Sequence, residues 1–67
     1  MTDDETLPRI GAPATRALAA EGITRLADLT DRRSQDLLAL HGVGPRAIRL
    51  LREALAEQGM SFADDRG

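Results

Sequence analysis

Sixty-seven residues, 42% of them hydrophobic, with a formal charge of −2, make one domain at most, with a stability of roughly a few kcal/mol. With no cysteine and a lone His41, disulfides and thiolate metal sites are excluded and neither a metal nor a cofactor is expected. No apolar run approaches the roughly 20 residues that cross a bilayer, and the acidic start at Asp3, Asp4 and Glu5 lacks a signal peptide's basic region, so a cytoplasmic protein without a membrane partner is expected.

Ten Leu and eleven Ala, with few β-branched or aromatic residues, point to an all-α fold. Residues 1 to 5 are polar and acidic and read as a disordered tail. Gly11 offers a turn and Pro13 a first helical position, so a helix is predicted from about Pro13 to Glu21, stopped by Gly22. Thr24 is the expected cap of a short segment ending at Leu29. Thr30 or Asp31 is the expected cap of a helix that carries Leu37, Leu38 and Leu40 and stops near His41 and Gly42. Pro45 then opens the longest helix, Arg46 to Gln58, ended by Gly59. Ala47, Ile48, Leu51, Ala54 and Leu55 form its apolar stripe, flanked by Leu50, and Arg46, Arg49, Arg52, Glu53 and Glu57 lie away from it. Phe62, the only aromatic residue, is expected to fold back onto the core. Residues 64 to 67 read as a second disordered tail.

A shift of 33 residues lays Leu7 to Leu18 over Leu40 to Leu51, with Gly11 on Gly44, Ala14 on Ala47, Arg16 on Arg49 and Leu18 on Leu51. Each copy reads as an apolar residue, a glycine turn and a helix start, and two such units bury their apolar faces about a pseudo-twofold axis. The expected architecture is a compact bundle of four to five short helices, with one folded domain from residue 6 to 63. Between Thr6 and Ala63 eight Arg face six acids, so the folded part is expected to be mildly basic between acidic tails. Every basic residue is Arg, most simply the mark of a GC-rich, bacterial genome.

Gly42-Val43-Gly44-Pro45 carries the chemistry. Two glycines let the backbone turn sharply and approach a ligand, Val43 anchors the turn in the core, and Pro45 starts a helix. The unsatisfied N–H groups and the dipole at a helix N-terminus favour an anion such as phosphate. Arg46 and Arg49 lie in the first turns of that helix. Gly42, Val43, Gly44, Arg46 and Arg49 are therefore the candidate site, with Gly11, Ala12 and Arg16 as a second candidate contact. A tight αα corner with no ligand is the alternative reading of the same turn. Arg49 has Glu53 as an alternative i,i+4 partner, Arg32 and Arg33 have Asp36, and His41 suits a helix C-terminus.

The run Leu37 to Ile48 resembles the helix-hairpin-helix motif of DNA repair and recombination proteins, whose hairpin reads apolar-Gly-apolar-Gly and is commonly followed by Pro or a basic residue. With the weaker copy at residues 7 to 18, the chain from Thr6 to Phe62 resembles a paired helix-hairpin-helix (SAM-like) domain, similar also to the C-terminal domain of the bacterial RNA polymerase α subunit. The first copy departs from the pattern in having Arg9 where the leading glycine stands. The resemblance implies weak, sequence-nonspecific binding of double-stranded DNA through hairpin amides and Arg–phosphate contacts, by a nucleoid-associated monomer. Its alternative implication is a protein-interaction module with structural hairpins. No pairing of nucleophile and base supports an enzyme.

Overall fold

The structure, a computed structural model, describes residues 7–65. Among them lie three α-helices, α1 (Ala12–Ala20), α2 (Ser34–Leu38) and α3 (Pro45–Glu57), two 3-10 turns, Leu26–Leu29 and Ala63–Asp65, and no strand. The expected tail at residues 1 to 5 lies outside the described residues.

The two longer helices begin and end by the same physics. Each has a glycine as N-cap and a proline in its first turn, Gly11 with Pro13 and Gly44 with Pro45. The first full helical bonds run from Thr15 N–H to the Gly11 carbonyl and from Ile48 N–H to the Gly44 carbonyl, at 3.0 and 3.1 Å. At their C-termini Gly22 and Gly59 take φ of 79° and 72°, the left-handed conformation that costs glycine least. Ile23 N–H reaches back to the Leu18 carbonyl and Met60 N–H to the Leu55 carbonyl, closing the same six-residue loop at both ends.

Two expected caps are replaced. Thr24 does not cap the first 3-10 turn; the Asp28 carboxylate reaches back and accepts the N–H groups of Thr24 and Arg25 at 3.1 and 3.2 Å. An ionised carboxylate is a stronger acceptor than a hydroxyl, and those two N–H groups hold Asp28 below its ordinary pKa. Helix α2 is also shorter than expected, starting at Ser34 and stopping before Leu40. Thr30 closes the preceding turn, donating its hydroxyl to the Ala27 carbonyl at 2.8 Å, so neither it nor Asp31 is placed to cap α2. The cap comes from the far end of the chain: Asp64 accepts the Ser34 N–H at 2.9 Å and the Ser34 hydroxyl at 2.7 Å. At the other end, Leu40 N–H bonds the Leu37 carbonyl and Val43 N–H the Leu40 carbonyl, tightening the chain into the hairpin before His41.

The core is built as the spacing on α3 requires. Ala47, Ile48, Leu51 and Leu55 are buried and Ala54 and Leu50 are half-buried, while Arg46, Arg49, Arg52, Glu53 and Glu57 are exposed. They pack with Ala14 and Leu18 of α1, Leu26 and Leu29 of the first 3-10 turn, and Leu37 and Val43. Phe62 folds back as expected and is fully buried. The result is compact, with a Cα radius of gyration of 10.7 Å.

That return changes the reading of the C-terminus. Asp64 and Asp65 do not belong to a disordered tail: they form the second 3-10 turn, in which Ala63 N–H bonds the Arg32 carbonyl at 2.9 Å and Asp65 pairs with Arg52. Residues 66 and 67 lie outside the described residues. With Asp64 and Asp65 in the fold, residues 7–65 hold eight Arg and eight acids, so the folded part is neutral and not mildly basic.

Candidate nucleic-acid interface

The two glycine turns meet. Arg9, Ile10 and Gly11 from the first and Gly42, Gly44, Arg46, Ala47 and Leu50 from the second line one open cleft of about 360 Å³. Of the residues proposed from sequence, the structure brings Gly11, Gly42, Gly44 and Arg46 together there. Ala12 follows Gly11 as the first residue of α1. Arg16 and Arg49 lie outside the cleft lining, exposed one turn further along α1 and α3.

Backbone conformation decides how each turn presents itself. Gly42 has φ 95°, which only glycine adopts at low cost, whereas Gly44 is extended at φ −113° and ψ 178°. In the first turn the positive φ, 97°, falls on Gly11 itself, and Arg9 has an ordinary backbone because no non-glycine residue here has positive φ. The two turns therefore share a helix start but not a backbone path. The first also has no helix ahead of it among the described residues.

The N–H groups of Gly11, Ala12, Gly44 and Arg46 form no hydrogen bond with the described residues, and no side chain caps either helix start. Pro13 and Pro45 carry no N–H, and Ala14 and Ala47 are buried, so those four are the donors that the two helix starts present. Val43 is not among them. Its side chain is in the core and its N–H is bonded to the Leu40 carbonyl, so it holds the hairpin in place and offers no free N–H.

The arginines divide. Arg9, Arg16, Arg46 and Arg49 make no hydrogen bond or ion pair with the described residues, and the alternative Arg49–Glu53 pair does not form. Arg32 pairs with Glu21 at 3.2 Å, and also donates to the Glu21 carbonyl at 2.9 Å, in place of the expected Asp36. The reason is tertiary: the turn after α1 brings Glu21 against the loop ahead of α2, a proximity that an i,i+4 pattern does not register. Arg52 donates to both Asp65 oxygens at 2.7 and 3.2 Å and to the Ser34 hydroxyl at 3.3 Å, with its guanidinium 5.6 Å from the centre of the Phe62 ring. The Asp65 hydrogen bond raises the Arg52 pKa further above its already high value. His41 is exposed in the hairpin, beyond the end of α2 at Leu38, and its side chain makes no hydrogen bond with the described residues.

Arg9 is the residue that sequence reading undervalued. It breaks the motif, yet it lines the same cleft as Arg46. The 33-residue overlay, which places Arg9 on Gly42, carried the signal that it belongs to the turn. Among the described residues no group of three or more metal-ligating side chains occurs, and no helix is long and apolar enough to cross a membrane.

Comparison with protein-family models, with curated proteins and with solved structures returns no match to this chain.

Proposed function

We propose that this chain is a binding module, without catalysis of its own, that holds double-stranded DNA weakly and without sequence preference. The observation that carries the reading is the cleft itself: two helix starts whose N–H groups have no partner among the described residues, with Arg9 and Arg46 in the same open lining. Two phosphate groups of a duplex fit that chemistry, with the amides of Gly11 and Ala12 and of Gly44 and Arg46 as donors. Arg16 and Arg49 add charge one turn further along each helix. The correspondence of Gly11 with Gly44, Ala14 with Ala47 and Leu18 with Leu51, as helix caps and buried positions, supports a paired, pseudo-twofold (SAM-like) helix-hairpin-helix architecture.

No base-reading group is needed, and with about two to four arginine contacts the affinity at physiological salt falls in the micromolar to submillimolar range. A monomer of this strength acts beside another DNA-bound partner, in the cytoplasm and on the nucleoid of a bacterial cell. A fluorescence-anisotropy titration with duplexes of unrelated sequence at low salt tests the reading. Equal, salt-sensitive binding to all of them is expected, and absence of binding at low salt contradicts it. The protein-docking alternative rests on Leu38, among the described residues the one large apolar residue that is exposed, at 41%. It gains if Leu38→Ala leaves DNA binding intact and abolishes recovery of a specific protein partner.

A further inference from the structure

Gly42 sits on the backbone of the opposite turn. A Cβ built on it would lie 2.9 Å from the Pro13 carbonyl oxygen, 3.1 Å from the Pro13 carbonyl carbon and 3.3 Å from its Cβ. No flexible side chain is available to move aside; the obstruction is the first turn of α1. By contrast, the same atom built on Gly44, Gly22 or Gly59 meets nothing within 4 Å. The second hairpin is thus seated directly on the helix start that the first turn supplies, with no side chain between them.

From this contact we infer that Gly42 is a positioning residue: it lets the two turns close to one fixed spacing, so that both engage a single duplex at once and act as one bivalent site. The inference rests on the DNA-binding reading above and adds to it how the two half-sites are coupled. Gly42 makes its contribution through Pro13 and need not touch DNA. A rigid pair gains affinity because the second contact becomes intramolecular once the first is made. If the turns are pushed apart, the second hairpin keeps Arg46 and Arg49 and the first loses its place on the same duplex.

The consequence is a change in the form of binding as well as its strength. Each phosphate neutralised contributes about 0.9 to the slope of log affinity against log salt on duplex DNA. Loss of the contacts contributed by Arg9 and Arg16 therefore lowers the slope by about 1.8, and affinity falls roughly tenfold or more. Strain from positive φ alone does not do this, and Gly59→Ala isolates that cost, since Gly59 has φ 72° with open space around its would-be Cβ.

The experiment compares the native chain, Gly42→Ala and Gly59→Ala, each with and without Arg16→Gln, by anisotropy titration on one short duplex over a salt series. Temperatures are held where circular dichroism shows each protein folded. The expected result is that Arg16→Gln weakens binding and lowers the slope in the native and Gly59→Ala chains. Gly42→Ala lowers the slope on its own, and Arg16→Gln adds nothing to it. A folded Gly42→Ala that keeps the native slope and its sensitivity to Arg16 overturns the inference while leaving DNA binding in place. No binding by the native chain removes the DNA reading, and the inference with it. If Gly42→Ala does not fold, amide shifts of the native chain decide. Gly11 and Ala12 saturating at the same duplex concentration as Gly44 and Arg46 support coupling, and separate saturation points overturn it.

Discussion

Arg52 meets two Asp65 oxygens, the Ser34 hydroxyl and the face of Phe62, whereas Arg46, six residues earlier on the same helix, meets no partner among the described residues. The comparison extends to the regions around them. At the C-terminal return, Asp64 satisfies the start of α2 and Asp65 holds Arg52, so polar groups are matched within the fold. At and beside the hairpin cleft, two helix starts have no side-chain cap and Arg9, Arg16, Arg46 and Arg49 have no partner among the described residues. The first region reads as structure, and the second is where the proposed DNA-binding function has its site.

The largest effect that tests this division is on the return. Phe62→Ala removes a fully buried ring and is expected to cost about 3–5 kcal/mol, which is most of what a chain of this size possesses. Thermal unfolding followed by circular dichroism should lose its cooperative transition near room temperature. A well-folded Phe62→Ala would mean that the return is ornamental.

Asp64→Asn comes next. The Ser34 N–H and hydroxyl hold the Asp64 carboxyl below its ordinary pKa, so the stability it contributes is present above the unfolded value of about 3.9. That contribution is lost as pH falls through the lowered folded value. The variant should therefore unfold at lower urea than the native chain at pH 7, with the gap closing as pH falls below the unfolded value of about 3.9 and through the lowered folded one. A gap that persists unchanged at low pH would contradict the capping role.

Arg46→Gln and Arg49→Gln should leave stability within about 0.5 kcal/mol and each reduce the salt slope of duplex binding by about 0.9. Urea unfolding and anisotropy on the same samples separate the two quantities. Loss of stability without loss of slope would place these arginines with Arg52. The smallest effect is reserved for Glu21→Gln. Its pair with Arg32 is more than a third exposed on both sides, and the loss should not exceed about 0.5 kcal/mol, since Arg32 keeps the Glu21 carbonyl.

What could be read from sequence was local. The stripe of α3, the glycine stops at Gly22 and Gly59 and the prolines at the two helix starts all act within a few residues, and the structure has them as expected. So is the burial of Phe62, because a single large apolar residue after a helix stop has few other places to go. What was not legible depended on distance along the chain. Ser34 is capped by a residue 30 positions away, and the local candidates Thr30 and Asp31 carried no sign that they would be passed over. Asp64 and Asp65 looked like a solvated tail for the same reason. In the cleft, Gly42, Gly44 and Arg46 followed from turn chemistry. The placement of Arg9 beside them, and the contact of Gly42 with Pro13, needed the two turns in three dimensions.

The most direct test is an amide-resolved NMR titration of the native chain with a short DNA duplex at low and then moderate salt. Salt-sensitive shifts at Gly11 and Ala12 and at Gly44 and Arg46, with Ser34 and Phe62 to Asp65 unmoved, are the predicted result. Shifts confined to the C-terminal return, or none at low salt, would contradict the assignment of the cleft.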